Sequence, residues 1–401
     1  MPEPDLTAEE ERVLDLVSMD EILDVTAALV AAPGQNPPGE EGPTVDVLAR
    51  ACTAHGLECT TDPVAPERPN LSAVLAGGDA PGLLLLGHTD VVPHGDGWSV
   101  DPLGGTVRDG RLYGRGSADM LGGLAACVAA MGALREAGVA LAGPVELAAV
   151  VDEEETGTGV RHYVASGDRS GFTGCVVAEP TELQTVIAAR GDAYVQIRVT
   201  GRAAHSGNPA EGRNAIHGAA AVIASLERWH HELAAAAHPL VGPAMWSVGQ
   251  VRGGTATSTV PAECVVVADR RLLPDESADT VLADVRRRVE GLGLSEAGLS
   301  VDVSMTMAMP GFETAADHPF VRTAAAAGPA AGGPDAPLGG WSAACDGGFL
   351  ARDAGLPVVV LGPGSVAGQA HRPDESVSLD ELRVAARTYA LLALRLLGDG
   401  T

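Results

Sequence analysis

Short apolar runs alternate with amphipathic helical stretches along the first part of the chain, and no other feature constrains the fold as strongly. Apolar runs of about four to eight residues between turn residues predict buried strands, and apolar positions repeating every three or four residues predict helices. Strands are predicted at 71–75, 83–86, 145–151 and 175–178, and helices at 20–32, 44–55, 121–137 and 160–166. This alternation is typical of an α/β domain whose central sheet is flanked by helices.

The pattern changes near Arg190. Strands at 193–199, 245–251, 262–272 and 299–305, with helices at 214–232 and 278–292, spell β-α-β-β-α-β, the ferredoxin-like arrangement. After Pro310 the α/β pattern resumes, with helices at 318–327 and 379–397 and a strand at 357–361. We therefore predict an α/β domain with a central mixed sheet, in two parts at 1–189 and 309–401, and an inserted ferredoxin-like domain at 190–308.

The composition argues against several kinds of partner. The chain has 401 residues, 46% of them hydrophobic, and a formal net charge of −27. Nucleic acids and anionic membranes need a basic footprint, so this charge argues against both. We see no signal-peptide pattern and no stretch of the roughly 18 apolar residues that span a membrane. Six scattered cysteines without a CxxC pair indicate reduced thiols, and we predict a cytoplasmic protein.

Candidate metal ligands follow the predicted strands, where α/β proteins build their ligand sites. His88 and Asp90 follow the run 83–86 and lie on one side of that strand, because side chains alternate along it. The four carboxylates at 152–155 follow the strand 145–151, and Glu179 follows the strand 175–178.

Asp119 and His371 complete the set. Asp119 opens the helix predicted to begin near Met120, and His371 precedes the last helix. Alone, the first would be read as a helix cap and the second as a loop histidine. Two metals about 3.5–4 Å apart, however, need imidazole and carboxylate ligands and one carboxylate with both oxygens free to bridge, which Asp119 fits.

The motifs that contain these residues resemble those of the acetylornithine deacetylase, succinyl-diaminopimelate desuccinylase, aminoacylase and glutamate carboxypeptidase family of dimetal amidohydrolases. The matching segments cover essentially the whole chain in family order, at 33–39, 87–93, 112–120, 152–154, 179–181 and 370–371. By this resemblance, His88 and Glu179 are ligands of one metal, Glu154 and His371 of the other, and Asp119 is the bridge. It implies two divalent ions, zinc in the first place, with cobalt or manganese as alternatives.

The resemblance also assigns the proton-transfer residues. Glu153 matches the general base that deprotonates a water bridging the metals, and Asp90 matches the group that orients His88. The extra Glu155 leaves the register open by one residue. In the shifted alternative, Glu154 is the base and Glu155 is the ligand.

The inserted domain resembles the family's lid and dimerisation domain. His205 matches a histidine that reaches across a homodimer and stabilises the oxyanion in the partner's site. The alternative for His205 is an exposed loop residue. Arg271 resembles an arginine that holds the substrate carboxylate, and a structural salt bridge to Asp269 is the alternative.

Three positions depart from the family pattern. Leu121 stands where many relatives have lysine, Ser258 where asparagine is usual, and Cys345, just before Asp346, where threonine is commoner. None of these removes a metal ligand. Ser258 and Asp346 are expected near the substrate, so the departures bear on substrate preference.

The resemblance implies a zinc-dependent hydrolase that cleaves the amide bond of an N-acyl amino acid. A carboxypeptidase or dipeptidase acting on short peptides is the nearest alternative. The altered loops at Ser258 and Cys345 leave room for an acyl-transfer or ligase variant in a secondary pathway. A non-catalytic binding protein would be expected to have lost metal ligands, and all five are present.

Overall fold

The computed structural model describes residues 6–32 and 34–398, and they form two compact units. The first takes the chain up to Ile187, then Thr314–Gly339 and the part from Phe349 onward. The second takes Ala188–Glu313 and Gly340–Gly348. Pro33, the first residue of a segment that carries the family resemblance, lies outside the described residues.

The described residues form ten α-helices and eighteen β-strands. The first are α1 Ala8–Asp15, α2 Met19–Ala31, α3 Gly42–Ala54, β1 Glu58–Ala65, β2 Arg68–Leu75, β3 Gly82–His88, β4 Thr106–Arg108, β5 Arg111–Tyr113, α4 Gly122–Ala137, β6 Val145–Val150, α5 Thr158–Ala165, β7 Phe172–Val177 and β8 Val186–Ala189. Next come β9 Gly191–Thr200, α6 Ala215–Leu233, β10 Ala237–His238, β11 Gly242–Pro243, β12 Met245–Gly253, β13 Glu263–Leu272, α7 Ala278–Glu290, β14 Ser300–Met309 and β15 Phe312–Glu313. The last are α8 Pro319–Ala330, β16 Gly339–Trp341, α9 Gly347–Asp353, β17 Val358–Val360, β18 Ser376–Ser378 and α10 Leu379–Leu397.

The first unit is built on a mixed sheet with the strand order β1-β2-β6-β3-β7-β17-β8. The central strands β6, β3, β7 and β17 are parallel to one another. Strand β2 pairs antiparallel with β1 and β6, and β8 pairs antiparallel with β17. Every residue of β3 is buried, as expected for a strand covered on both faces. The mixed α/β fold predicted from the sequence is confirmed.

Helix α4 is nearly all buried and packs against α10 and α2. Our expectation that no stretch could span a membrane was wrong by length and composition, because the segment Ser117–Ala137 meets both criteria. However, 94% of its apolar window is buried inside the unit. Its apolar side chains pack in the core. A hydropathy window cannot distinguish such a core helix from a helix that faces lipid.

The second unit has a four-stranded antiparallel sheet in the order β12-β13-β9-β14. Helix α6 packs on β12, β13 and β9, and α7 packs on β14. Alternate residues of the central strand β9, including Val195, Ile197 and Val199, are fully buried in the core that these helices cover. This is the predicted ferredoxin-like arrangement.

Candidate metal centre

Three neighbouring parallel strands deliver ligand candidates to one edge of the sheet. His88 is the last residue of β3, Glu179 follows β7, and the acidic residues at 152–155 follow β6. Because the carboxyl ends of parallel strands meet at the same edge, these side chains converge.

Asp119 lies in an irregular turn, Ser117–Leu121, rather than in the first turn of a helix. Its φ of −123° and ψ of 90° are not helical, and α4 begins only at Gly122. The expected helix start near Met120 was therefore two residues early. The buried Glu375 carboxylate fixes the turn, because its Oε1 accepts the N–H groups of Ala118 and Asp119, each at 3.0 Å.

The first group of ligand candidates consists of His88, Asp119 and Glu179. His88 Nε2 lies 3.3 Å from Asp119 Oδ1 and 3.4 Å from Glu179 Oε1. His88 and Glu179 are buried, and their facing atoms lie within 4.8 Å of one another and of the Asp119 carboxylate.

The second group consists of Asp119, Glu154 and His371. His371 Nε2 lies 3.1 Å from Glu154 Oε2 and 3.4 Å from Asp119 Oδ2. Of the acidic residues at 152–155, Glu154 is therefore the one that faces both His371 and Asp119 in this group. Its neighbour Glu155 is exposed and belongs to neither group found in the described part of the chain.

Asp119 is shared between the two groups, and each of its oxygens faces a different histidine. Oδ1 faces His88 and Oδ2 faces His371. A bridging carboxylate must present its two oxygens to two separate ions in this way.

The charges of this cluster favour cations. Burial lowers the pKa of His88, but the negative charges of Glu179 and Asp119 outweigh it and raise that pKa well above its usual value. Hydrogen bonds to Asp119 and Glu154 raise the pKa of His371 to about 10. Burial and the charge of Asp119 raise the pKa of Glu179 to about 7. The two histidine shifts reflect the negative charge of the neighbouring carboxylates, and a divalent ion would relieve the repulsion between these carboxylates.

The donor set fits two divalent ions. It offers two imidazoles and three carboxylates, the ligand types that zinc and its neighbours accept. Glu179 Oε2 is buried and has no hydrogen-bond partner among the described residues. A buried carboxylate oxygen left unpaired is costly, and an ion at this position would satisfy it.

Asp90 contacts His88 differently from the sequence expectation. His88 Nδ1 lies 2.9 Å from the main-chain oxygen of Asp90 and 3.7 Å from its carboxylate. The carboxylate instead accepts the main-chain N–H groups of Glu153 and Glu154, each at 3.1 Å. The main chain can orient the imidazole, so the Asp90 side chain is available to hold the acidic pair.

In the second unit, the His205 segment pairs with the Ser258 segment. Ser206 N–H donates to Ser258 O at 2.9 Å, and His205 pairs with Thr259 in an isolated antiparallel β-bridge. His205 is exposed, and its Nδ1 accepts the N–H of Gly207 at 3.0 Å. An Nδ1 that accepts a hydrogen bond leaves the proton of a neutral imidazole on Nε2, where it can be donated.

The other two residues predicted near the substrate also lie in the second unit. Arg271 Nε and Nη2 contact both oxygens of Asp269, at 3.1 and 3.0 Å, and Nη2 lies 3.3 Å from Asp192. This is the salt bridge to Asp269 that we kept as the alternative for Arg271. Asp346 is buried.

Two supporting side chains were not predicted from the sequence. Asn36 lies in a matched segment but was given no role, although its amide contacts Asp90. Glu375 follows His371 by four residues and was also given no role. A buried partner four residues from a ligand leaves no sequence signal that separates it from a surface glutamate.

Residues 84–395 match the sequence profile of peptidase family M20/M25/M40. The chain is 31% identical over 340 residues to the acetylornithine deacetylase of Aliivibrio fischeri strain MJ11, a match covering 82% of this chain and 85% of that protein. Its fold is similar to an M20 family metallo-carboxypeptidase from Sulfolobus solfataricus, with a TM-score of 0.79, 18% identity and coverage of 93% and 98%. It is also similar to a dinuclear metal-binding peptidase from Bacillus subtilis, with a TM-score of 0.73, 17% identity and coverage of 94% and 98%.

Proposed function

Because the chain belongs to peptidase family M20/M25/M40 and is a metal-dependent hydrolase, we propose that its substrate is an N-acyl amino acid, cleaved at the amide bond beside the free carboxylate. The observation that carries the proposal is Asp119, whose two oxygens face the histidines of two ligand groups. The 31% identity with an acetylornithine deacetylase supports a small acyl group on an amino acid.

Two divalent ions, with zinc as the native metal, are part of this proposal. His88 and Glu179 would hold one ion, Glu154 and His371 the other, and Asp119 both. When bound, the ions supply positive charge that polarises the scissile carbonyl and lowers the pKa of the attacking water.

Glu153 is the proposed general base. Its carboxylate accepts a proton from the attacking water and returns it to the leaving amine. The main-chain N–H of Glu153 donates to Asp90 Oδ1 at 3.1 Å, and this hydrogen bond fixes the backbone from which the Glu153 side chain extends. Its neighbour Glu154 faces His371, which gives the two adjacent glutamates different tasks.

His205 is the proposed oxyanion donor, acting in the partner's site of a homodimer. The Gly207 N–H on Nδ1 supports this role, because it keeps the Nε2 proton available to a developing negative charge. The exposure of His205 in the second unit is consistent with a residue that serves another chain. The second unit, predicted as an inserted domain at 190–308, would then act as lid and dimerisation domain.

Arg271, Ser258 and Asp346 are proposed to line the substrate side of the second unit. Nη2 of Arg271 is shared between Asp269 and Asp192, so a substrate carboxylate would use the remaining Nη1. A fixed guanidinium of this kind binds a carboxylate with little loss of side-chain entropy.

A substrate screen tests the proposal. Metal-reconstituted protein is assayed with N-acetyl, N-succinyl and N-formyl amino acids and with dipeptides, and released amine is measured. Hydrolysis of one acyl series above all dipeptides is expected, and chelation should abolish it. Turnover of dipeptides alone would overturn the acyl substrate and favour the peptidase alternative, because a dipeptide offers the same amide beside a free carboxylate.

Acyl transfer is separated from hydrolysis by adding a competing amine and analysing the products. Only hydrolysis products are expected, because the nucleophile in the proposed mechanism is water. The predicted cytoplasmic location remains part of the proposal, and the six free cysteines are consistent with it.

A further inference from the structure

We infer that Asn36 is a positioning residue that fixes the general base and one metal ligand by tying two carboxylates together. The inference rests on the proposed function, since it assigns Asn36 a task in holding Glu153 and Glu154. Asn36 belongs to a segment that the family resemblance covers but to which no role was assigned.

The Asn36 side chain lies between two buried carboxylates and donates to both. Its Nδ2 contacts Asp90 Oδ2 at 2.9 Å and Asp152 Oδ1 at 3.0 Å, and the residue is 3% exposed. An amide nitrogen has two N–H groups and no charge, so it can satisfy two anions at once. A hydroxyl has one donor, and a third carboxylate would repel the other two.

The backbone holds Asn36 in this place. Asn36 N–H donates to Val91 O, and Val91 N–H donates to Gly34 O, both at 2.9 Å. Gly34 permits this close approach, because a Cβ there would lie 2.8 Å from Thr89 O. The segment therefore runs directly alongside the residue that follows Asp90.

Both carboxylates act on the acidic turn. Asp90 holds the N–H groups of Glu153 and Glu154 at 3.1 Å each. The Asp152 carboxylate also accepts hydrogen bonds from the side chain and the main chain of Thr158, at 2.7 and 3.3 Å. The side-chain amide of Asn36 donates to both carboxylates and thereby sets the distance between Asp90 and Asp152.

The half-buried Arg68 forms ion pairs with both Asp152 and Glu41. Arg68 Nη2 donates to Asp152 Oδ1 at 2.9 Å, and Arg68 Nε donates to the buried Glu41 at 2.7 Å. Arg68 and Asn36 donate to the same oxygen of Asp152, and Asn36 also donates to Asp90, so Asn36 links the position of the Asp152 carboxylate to that of Asp90.

Metal titration of Asn36 variants tests the inference without depending on turnover. Metal-free protein is titrated with Zn²⁺ by calorimetry, and His371→Ala identifies the binding step that belongs to Glu154 and His371. Asn36→Ala is expected to weaken that step by about 10–100-fold, the usual loss when a group that orients a ligand is removed. An unchanged step, within twofold, would overturn the inference.

Asn70→Ala is the matched control. Asn70 is another buried amide beside the same turn, but it bonds the main chain, donating to Gly159 O at 2.8 Å and accepting Val151 N–H at 3.1 Å. It should lower the melting temperature and leave the metal step within about threefold. Equal losses in the two variants would reduce Asn36 to a packing residue and refute the inference.

Asn36→Asp separates the hydrogen-bonding role of the Asn36 amide from the effect of its side-chain volume. It keeps the volume but brings a third carboxylate between the other two, so it should lower the melting temperature of the metal-free protein more than Asn36→Ala does. A pure packing role predicts the reverse order. If Asn36→Ala does not fold, Asn36→Ser is titrated in its place.

Turnover gives the last readout. With an active substrate, Asn36→Ala should lower kcat by about 10–100-fold and change KM little, since a misplaced base slows the chemical step. A raised KM at constant kcat would contradict positioning of the base. If the wild-type protein hydrolyses nothing, the proposed function fails, while the metal titration still decides the role of Asn36.

Discussion

Replacing Glu153 by glutamine tests which acidic residue is the base. The change keeps the volume of the side chain and removes its ability to accept a proton. Asp90 would still hold the main-chain N–H of residue 153, so the new amide should occupy the place of the carboxylate. Glu154 and His371 contact each other independently of this side chain, so both metal ions should remain bound.

The expected loss follows from the removed chemistry. General-base catalysis contributes about 10²–10⁴-fold to a rate. Each factor of ten is about 1.4 kcal/mol of activation free energy, so Glu153→Gln should raise the barrier by about 2.8–5.6 kcal/mol. The assay is kcat on the best substrate of the acyl screen, with metal content measured on the same sample.

Two neighbouring variants complete the test. Glu155→Gln changes an exposed side chain outside both ligand groups found in the described residues, and it should keep kcat within about twofold. Glu154→Gln should lose one ion. An active Glu153→Gln together with a dead Glu154→Gln that retains both ions would refute the assignment and show that the register is shifted by one residue.

Three further predictions address the metals, the assembly and the effect of pH. Asp119→Ala should deplete both ions, because one carboxylate faces both groups, and metal analysis showing two full-occupancy ions would exclude a bridge. An inactive His205→Ala chain mixed with an inactive Glu153→Gln chain should regain activity if subunits exchange, and demonstrated heterodimers without activity would exclude action in trans. The hydrogen bond to Glu21 raises the pKa of His55, so this pair stabilises the fold fully below about pH 6.5 and loses its effect as pH rises through the raised folded-state value. Glu21→Gln should therefore lower the melting temperature more at pH 6 than at pH 10, by about 1–3 °C at the lower pH, and an equal loss at both would contradict the pairing.

Strong periodicity made the main elements predictable. The last helix, predicted at 379–397, is observed at Leu379–Leu397, and the run 83–86 lies in β3 as expected. The family, too, was predicted from motif order and is confirmed by the profile match over residues 84–395. Motifs of this kind are readable because the chemistry allows few side chains at those positions.

An exposed strand and several very short strands were not predicted. Strand β1, Glu58–Ala65, is mostly exposed and has proline and threonine where an alternating apolar pattern would be needed. The short strands β4, β5 and β18 have three residues each, too few to show a period. Strand β4 pairs with its chain neighbour β5, but β5 also pairs with β18 more than 260 residues later, and local sequence does not encode that pairing.

The contacts between site residues were the least predictable part. The Asp90 carboxylate was expected to contact His88. It instead accepts the main-chain N–H groups of Glu153 and Glu154, which lie 63 and 64 residues further along the chain. The sequence identifies the residue types of such a site. The choice among nearby acceptors depends on distances of less than 1 Å, which only the folded chain determines.

The hydrogen bonds from the consecutive N–H groups of Glu153 and Glu154 to the Asp90 carboxylate have a consequence for protein engineering. The proposed proton acceptor Glu153 and the proposed metal ligand Glu154 are consecutive residues whose main-chain N–H groups bond one carboxylate, so their spacing cannot be adjusted by substituting either side chain. Libraries that test new acyl groups should therefore leave 88–90 and 152–154 unchanged and vary Ser258 and its neighbours, which we propose to lie near the substrate.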